Sequence, residues 1–237
     1  MTRPNRLREV EAITFDCYGT LIDWEDGAKQ TLGELLTKKA APQAGPFRTE
    51  QLDEFFREWE RAQWQRIHVA YQPYHTIAAE SFLEVARAQG LPLTAADARA
   101  FADAIPRWPP FPDTVPALAA LQRHVRLGII SNIDDRLLAG SVAQLGIPFK
   151  VTVTAEQARA YKPSERPFRL ALERLGLPAA RVAHAAFGFE YDLVTAAQLG
   201  FRTMLVRRGR RDFPPEPIPD LMVANLAELA AAFGRIC

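Results

Sequence analysis

The sequence predicts an α/β fold: a parallel sheet covered on both faces by helices, with an all-helical insertion near the N-terminus. Three observations carry this. Six short, apolar, β-rich runs recur along the chain, and helical patterns of about ten residues separate most of them. Between the first run and the second lies a stretch of about ninety residues with almost no strand character.

The first run, Ala12-Ile13-Thr14-Phe15, has the composition of a buried strand that delivers Asp16 to its C-terminal tip, where a turn containing Gly19 lets the backbone close around it. The long stretch patterns as four helices, roughly 25–39, 49–71, 75–89 and 94–105, flanked by the breakers "APQAGPF" and "RWPPFPD". It is expected to form a lid over the strand tips, with the second breaker as a stiff return linker. This divides the chain into a core of residues 1–22 and 109–237 and a cap of residues 23–108. Later strands are expected at 126–131, 150–154, 182–187, 202–206 and 221–225, and helices at 117–124, 136–146, 165–176 and 191–200. The Leu-Gly pairs at 145–146 and 175–176 are helix stops. The sum is a Rossmann-like core with an inserted helical cap.

At 237 residues the chain holds one large domain or one domain with an insertion, and its 48% apolar and 24% charged residues are those of an ordinary globular protein. A formal net charge of +1 favours neither nucleic acid nor an anionic membrane as partner. The first twelve residues are charged and lack the apolar core of a signal peptide, and no apolar run is long enough to span a bilayer. Cys17 and Cys237 make neither a disulfide framework nor a metal-binding pattern. A reduced, cytoplasmic protein is expected. The basic run "RRGRRDF" (207–213) is expected to be an exposed loop, and His184, inside a strand, a satisfied core residue.

In a parallel sheet ligands gather at the carboxyl ends of the strands. The first strand end offers Asp16, Tyr18 and Thr20, and the second Ser131 and Asn132; Lys162 follows the third, and Glu190 and Asp192 follow the fourth. This ordered set, "DCYGTL", "SN", "YKP" and "YD", resembles the haloacid dehalogenase superfamily over nearly the whole chain, cap included. The resemblance implies that Asp16 is a nucleophile.

Superfamily phosphatases carry Asp where this chain has Tyr18, as an acid for the leaving alkoxide. Their fourth motif also has a metal-binding Asp where alignment on Asp192 places Phe187. Both departures point away from Mg²⁺-dependent phosphoryl transfer. The branch acting on L-2-haloacids has Tyr at the position of Tyr18 and needs no cofactor. That likeness implies that Asp16 displaces halide from a short 2-halocarboxylate and that water then hydrolyses the ester. Lys162 would keep Asp16 ionised, Thr20 and Ser131 would orient carboxylates, and Asp192 would pair with Lys162 or position the water. Arg57 would grip the departing halide from the cap, and Asn132 would offer it, or the substrate, an amide. Tyr18 would wall the pocket.

Cys17, Phe187, Phe189 and Tyr191 adjoin these motifs and are counted with the substrate-facing positions, although strand alternation turns the Cys17 side chain towards the core. Phe187 and Phe189 stand where the dehalogenase branch has Ser and Asn, and Phe168 where it has Tyr, making the expected pocket more apolar. The alternatives are a Mg²⁺-dependent phosphatase and a scaffold that binds a small carboxylate without turnover. A homodimer is what related proteins suggest.

Overall fold

The computed structural model describes residues 7–39, 48–209, 214 and 216–236; "APQAGPF", the end of the basic run and Cys237 lie outside them. β1 (Ala12–Phe15) is buried along its whole length near the middle of a six-stranded sheet ordered β3-β2-β1-β4-β5-β6. The other strands are β2 (Arg126–Ser131), β3 (Val151–Thr154), β4 (Val182–Ala186), β5 (Arg202–Val206) and β6 (Leu221–Val223). All neighbours pair in parallel, which accords with strands that are mostly buried and apolar, β3 (VTVT) being the one that alternates.

From β1 the chain builds outward through β2 and β3, then returns to lay β4 on the other side of β1. That reversal opens a crevice at the carboxyl ends of β1 and β4. Phe15 lies opposite both Ile129 and Ala185, so the residues after β1, β2 and β4 emerge at one edge.

The insertion after β1 holds four α-helices among the described residues: α1 (Trp24–Lys39), α2 (Thr49–Ile67), α3 (Tyr74–Ala88) and α4 (Ala95–Ala104). α2 stops short of residue 71 because the His68 ring bonds back to the Trp64 carbonyl (2.7 Å) and Pro73 disfavours helix just before it. Trp59 is fully buried at the centre of an aromatic cluster with Trp24, Phe56, Phe101 and Trp108, and its Nε1–H donates to the Ala78 carbonyl at 3.1 Å.

The "RWPPFPD" segment is not a free linker. Trp108 is buried in the aromatic cluster, and the return strand pairs with the outbound one: Asp23 N–H donates to the Pro109 carbonyl (2.8 Å) and Phe111 N–H to the Leu21 carbonyl (3.1 Å). Asp134, after β2, accepts from the backbone N–H of both Tyr74 and His75 at 2.7 Å, so the sheet side caps the start of α3. One apolar cluster runs without a break from α1–α4 into the sheet.

The remaining helices are α5 (Thr114–Leu121), α6 (Asp135–Leu145), α7 (Ala155–Ala158), α8 (Arg166–Leu175), α9 (Thr195–Gln198) and α10 (Leu226–Ile236). The expected stops end α6 and α8 in left-handed Gly146 and Gly176. The helix expected over 191–200 begins instead as a π-helical turn, Phe189–Val194, whose inward positions are Phe189, Asp192 and Leu193. Such widened turns are frequent at functional sites. Trp59→Ala should destabilise the protein by about 3–5 kcal/mol, measured by urea unfolding, because it leaves a cavity at the centre of the aromatic cluster and removes the bond to the Ala78 carbonyl.

Candidate active site

Asp16 leaves β1 into a turn that needs Gly19: its φ is +92°, and a Cβ there would lie 2.4 Å from Cε1 of the Phe187 ring. The turn brings Thr20 back beneath the nucleophile candidate. The Thr20 hydroxyl donates to Asp16 Oδ2 at 2.9 Å and accepts the Phe187 N–H at 3.0 Å, tying the ends of β1 and β4 together.

The other oxygen of Asp16 faces Lys162. The Lys162 side chain is 1% exposed, and Nζ donates to Asp16 Oδ1 (2.9 Å), Asp192 Oδ1 (2.5 Å) and the Ile130 carbonyl (3.0 Å). These three bonds use all of its N–H groups. Asn132 holds the lysine backbone at both ends, accepting its N–H at 2.7 Å and donating to its carbonyl at 3.1 Å. One N–H of the Asn132 amide is thus used to place Lys162, and Asn132 also lines the cavity that meets Asp16.

Burial pushes the Lys162 ammonium down, but the two carboxylates more than offset this and hold it above its ordinary value. The carboxylates divide unequally. Burial, aided by the Asp192 charge, holds Asp16 above the ordinary carboxylate value despite Lys162. Burial also raises Asp192, but there Lys162 and a hydrogen bond from His184 prevail, and Asp192 lies below its ordinary value.

A cavity of about 100 Å³ meets this cluster, lined by Asp16, Tyr18, Ser131 and Asn132 from the sheet edge, Tyr191 from the π turn, and Trp24, Glu60, Gln63, Trp64, Ile67 and Tyr74 from the inserted helices. Tyr18 is a wall whose hydroxyl bonds Ser141 at 2.8 Å, and burial raises it well above its ordinary value. Arg57 is exposed and lines the two clefts beside this cavity, not the cavity itself. Phe187 lines both of those clefts and Phe189 one of them, while Phe189 also packs with Leu193 and Leu205. Cys17 is fully buried in the core, as strand alternation requires, and is not a substrate contact. Phe168 lies in the core, edge-on to the His184 ring.

Three residues that sequence reasoning assigned no role belong to this region. Gln63 is 94% buried, its Oε1 accepts the Tyr74 hydroxyl at 2.5 Å, and its Nε2 has no hydrogen-bond partner among the described residues. Its signal was available: Glu60, Gln63, Trp64 and Ile67 form one helical stripe. His184 contacts Asp192, and no pattern in the sequence announces it. Arg208, expected in an exposed loop, has a side chain 7% exposed. It adopts a left-handed φ of 49°, donates twice to the Thr20 carbonyl and once to Asp113, and lies over the Phe111 ring at 4.0 Å.

Lys162 Nζ already occupies the space between the two carboxylates, a phenyl ring stands at 187, and no group of three or more His, Cys, Asp or Glu among the described residues could hold a metal. No helix among the described residues is long and apolar enough to cross a membrane.

Comparison with known proteins gives the family. A family profile described as haloacid dehalogenase-like hydrolase matches residues 10–200. The chain is 25% identical over 228 residues to an (S)-2-haloacid dehalogenase of Pseudomonas putida, covering 94% of this chain and 96% of that one. It is 38% identical over 114 residues to haloacid dehalogenase-like hydrolase domain-containing protein 3 of Danio rerio, a match spanning 45% of each chain. The fold matches the crystal structure of a defluorinating L-2-haloacid dehalogenase with a TM-score of 0.81 at 24% identity, covering 95% of both chains. It matches the Xanthobacter autotrophicus L-2-haloacid dehalogenase with chloropropionic acid covalently bound with a TM-score of 0.78 at 22% identity, covering 94% of this chain and 97% of that one. With six parallel strands, a helical insertion after the first, and a profile match over most of its length, the chain belongs to the haloacid dehalogenase-like hydrolase family.

Proposed function

We propose that this protein hydrolyses the carbon–halogen bond of short 2-haloalkanoic acids, without a metal ion, through an ester on Asp16. The observation that carries the reading is the Lys162 bridge: one buried ammonium shared by two carboxylates at the edge of a small cavity. Tyr18, two residues beyond the nucleophile, has no proton to give near neutral pH, and a halide, unlike an alkoxide, needs none. The cavity of about 100 Å³ is well below the roughly 300 Å³ of drug-sized sites and suits an acid of a few heavy atoms.

In the first half-reaction an Asp16 carboxylate oxygen attacks the α-carbon, the carbon–halogen bond breaks, and the halide leaves with its electron pair. In the second, water adds to the aspartyl carbonyl carbon and gives a proton to Asp192. The tetrahedral intermediate collapses, the 2-hydroxy acid leaves with the proton from Asp192, and the second proton of the water is released to solvent as the Asp16 carboxylate is restored. Asp192 Oδ2, buried and without a hydrogen-bond partner among the described residues, is the oxygen free to accept that proton.

Lys162 has no N–H left for the substrate, so the substrate carboxylate must be held by other donors. Gln63 Nε2 fits this role, because the Tyr74 hydroxyl on Oε1 fixes the amide with its donor end unpartnered. Arg57, at the mouth, acts on anions entering and leaving through the flanking clefts.

Halide release from L-2-chloropropionate should proceed in the presence of EDTA and fall by on the order of 10⁴-fold in Asp16→Asn. Phosphate-ester hydrolysis that EDTA abolishes, with no halide release, would sink the proposal. Gln63→Leu should raise KM about ten- to hundredfold with a smaller effect on kcat, since a hydrogen bond to a charged group is worth about 1.5–3 kcal/mol; an unchanged KM would remove Gln63 from the site. Only ionised Asp16 attacks, and its carboxyl is held above 3.8. The single-turnover alkylation rate should therefore decline on acidification through a midpoint above 3.8, and a midpoint at or below that value contradicts the burial argument.

A further inference from the structure

His184 lies on β4 with no exposed surface, in a hydrogen-bonded line that ends at the nucleophile. Its Nε2 is 2.9 Å from Asp192 Oδ1, the same oxygen that meets Lys162 Nζ at 2.5 Å, and Lys162 meets Asp16 at 2.9 Å. On the far side, Nδ1 is 2.9 Å from the Thr14 hydroxyl on β1, which also lies 3.2 Å from the Ala183 carbonyl.

The protons can be placed on this line by what each atom is able to do. An ionised carboxylate only accepts, so Nε2 carries a hydrogen and donates it to Asp192. Nδ1 faces the Thr14 hydroxyl, which donates its one proton to Nδ1 or, accepting from Nδ1, to the Ala183 carbonyl; the Nε2–H bond to Asp192 is the same in both arrangements. Around the ring, β1 contributes Thr14, β5 contributes Thr203 as the paired neighbour, and α8 contributes Phe168 edge-on at 5.2 Å. The charged group in contact is Asp192, with Lys162 and then Asp16 behind it.

We propose that His184 is a positioning residue for Asp192: its Nε2–H holds Oδ1, turns Oδ2 to the water that cleaves the ester, and supplies the donor that lets one ammonium serve two carboxylates. The inference rests on the dehalogenase reading for the water step, but the hydrogen bond itself does not. Without that donor, Asp192 draws more of the Lys162 charge and accepts a proton at higher pH. Ester hydrolysis would then suffer, and alkylation by Asp16 would not.

The test separates the two half-reactions. In rapid-mixing experiments with L-2-chloropropionate, His184→Phe should keep a halide burst of one equivalent per enzyme, lose about tenfold or more in steady-state turnover, and shift the acid limb of turnover up by roughly one to two pH units. His184→Gln, whose amide N–H can reach the same oxygen, should recover part of both. Wild-type turnover and an unshifted limb in a folded His184→Phe protein would overturn the proposal. So would loss of the burst together with turnover in that variant. Absence of any halide release by the wild type refutes the dehalogenase reading instead. A separate measurement decides the hydrogen bond without substrate: ¹⁵N-histidine NMR of the wild-type protein, with the His184 signals assigned by their loss in His184→Gln, should show a hydrogen on Nε2. The Nδ1–H tautomer overturns the proposal whatever the turnover data show.

Discussion

A single ammonium between two buried carboxylates sets the terms for the whole catalytic edge. Taking three charges out of water is costly, and they remain charged only if their mutual attraction and added hydrogen bonds offset that cost. The surroundings of Lys162 supply these bonds: the Ile130 carbonyl takes the third N–H, Asn132 clamps the backbone on both sides, and Thr20 completes Asp16. The result is an uneven sharing in which Asp192 lies below and Asp16 above the ordinary carboxylate value.

The sheet was legible because a parallel sheet buried on both faces writes itself as apolar runs, and the six runs are the six strands. Asp16, Lys162 and Asp192 could be found for a related reason: each follows a strand end or its connecting loop, and β1, β2 and β4 are neighbours. Side chains that act across the sheet were not legible. His184 and Asp192 are close in sequence, but whether a strand histidine turns to the carboxylate depends on the π turn, which no simple periodicity encodes. On α2 two neighbouring stripes were available, one with Arg57, Arg61, Trp64 and His68 and one with Glu60, Gln63, Trp64 and Ile67. The docking of α3 against Asp134, a long-range contact, accompanies a geometry in which the second stripe faces Asp16.

The phenylalanines that looked like a more apolar pocket have separate jobs. Phe168 packs on the His184 ring, Phe189 fills space between the π turn and β5, and Phe187 covers Gly19, so none lines the Asp16 cavity. Behind the acid pair, the His184 ring meets Asp192 at 2.9 Å, with Phe168 edge-on to it.

The paired segments at the root of the helical insertion have a mechanical meaning. The Leu21 carbonyl accepts from Phe111 and from Thr114, the adjacent Thr20 carbonyl is gripped by Arg208, and the Thr20 side chain touches Asp16. Force applied to the insertion therefore reaches the nucleophile through a chain of short, directional bonds, with no slack loop between them. The root of the insertion and the Asp16 carboxylate thus share one fulcrum, so a displacement of one is passed to the other.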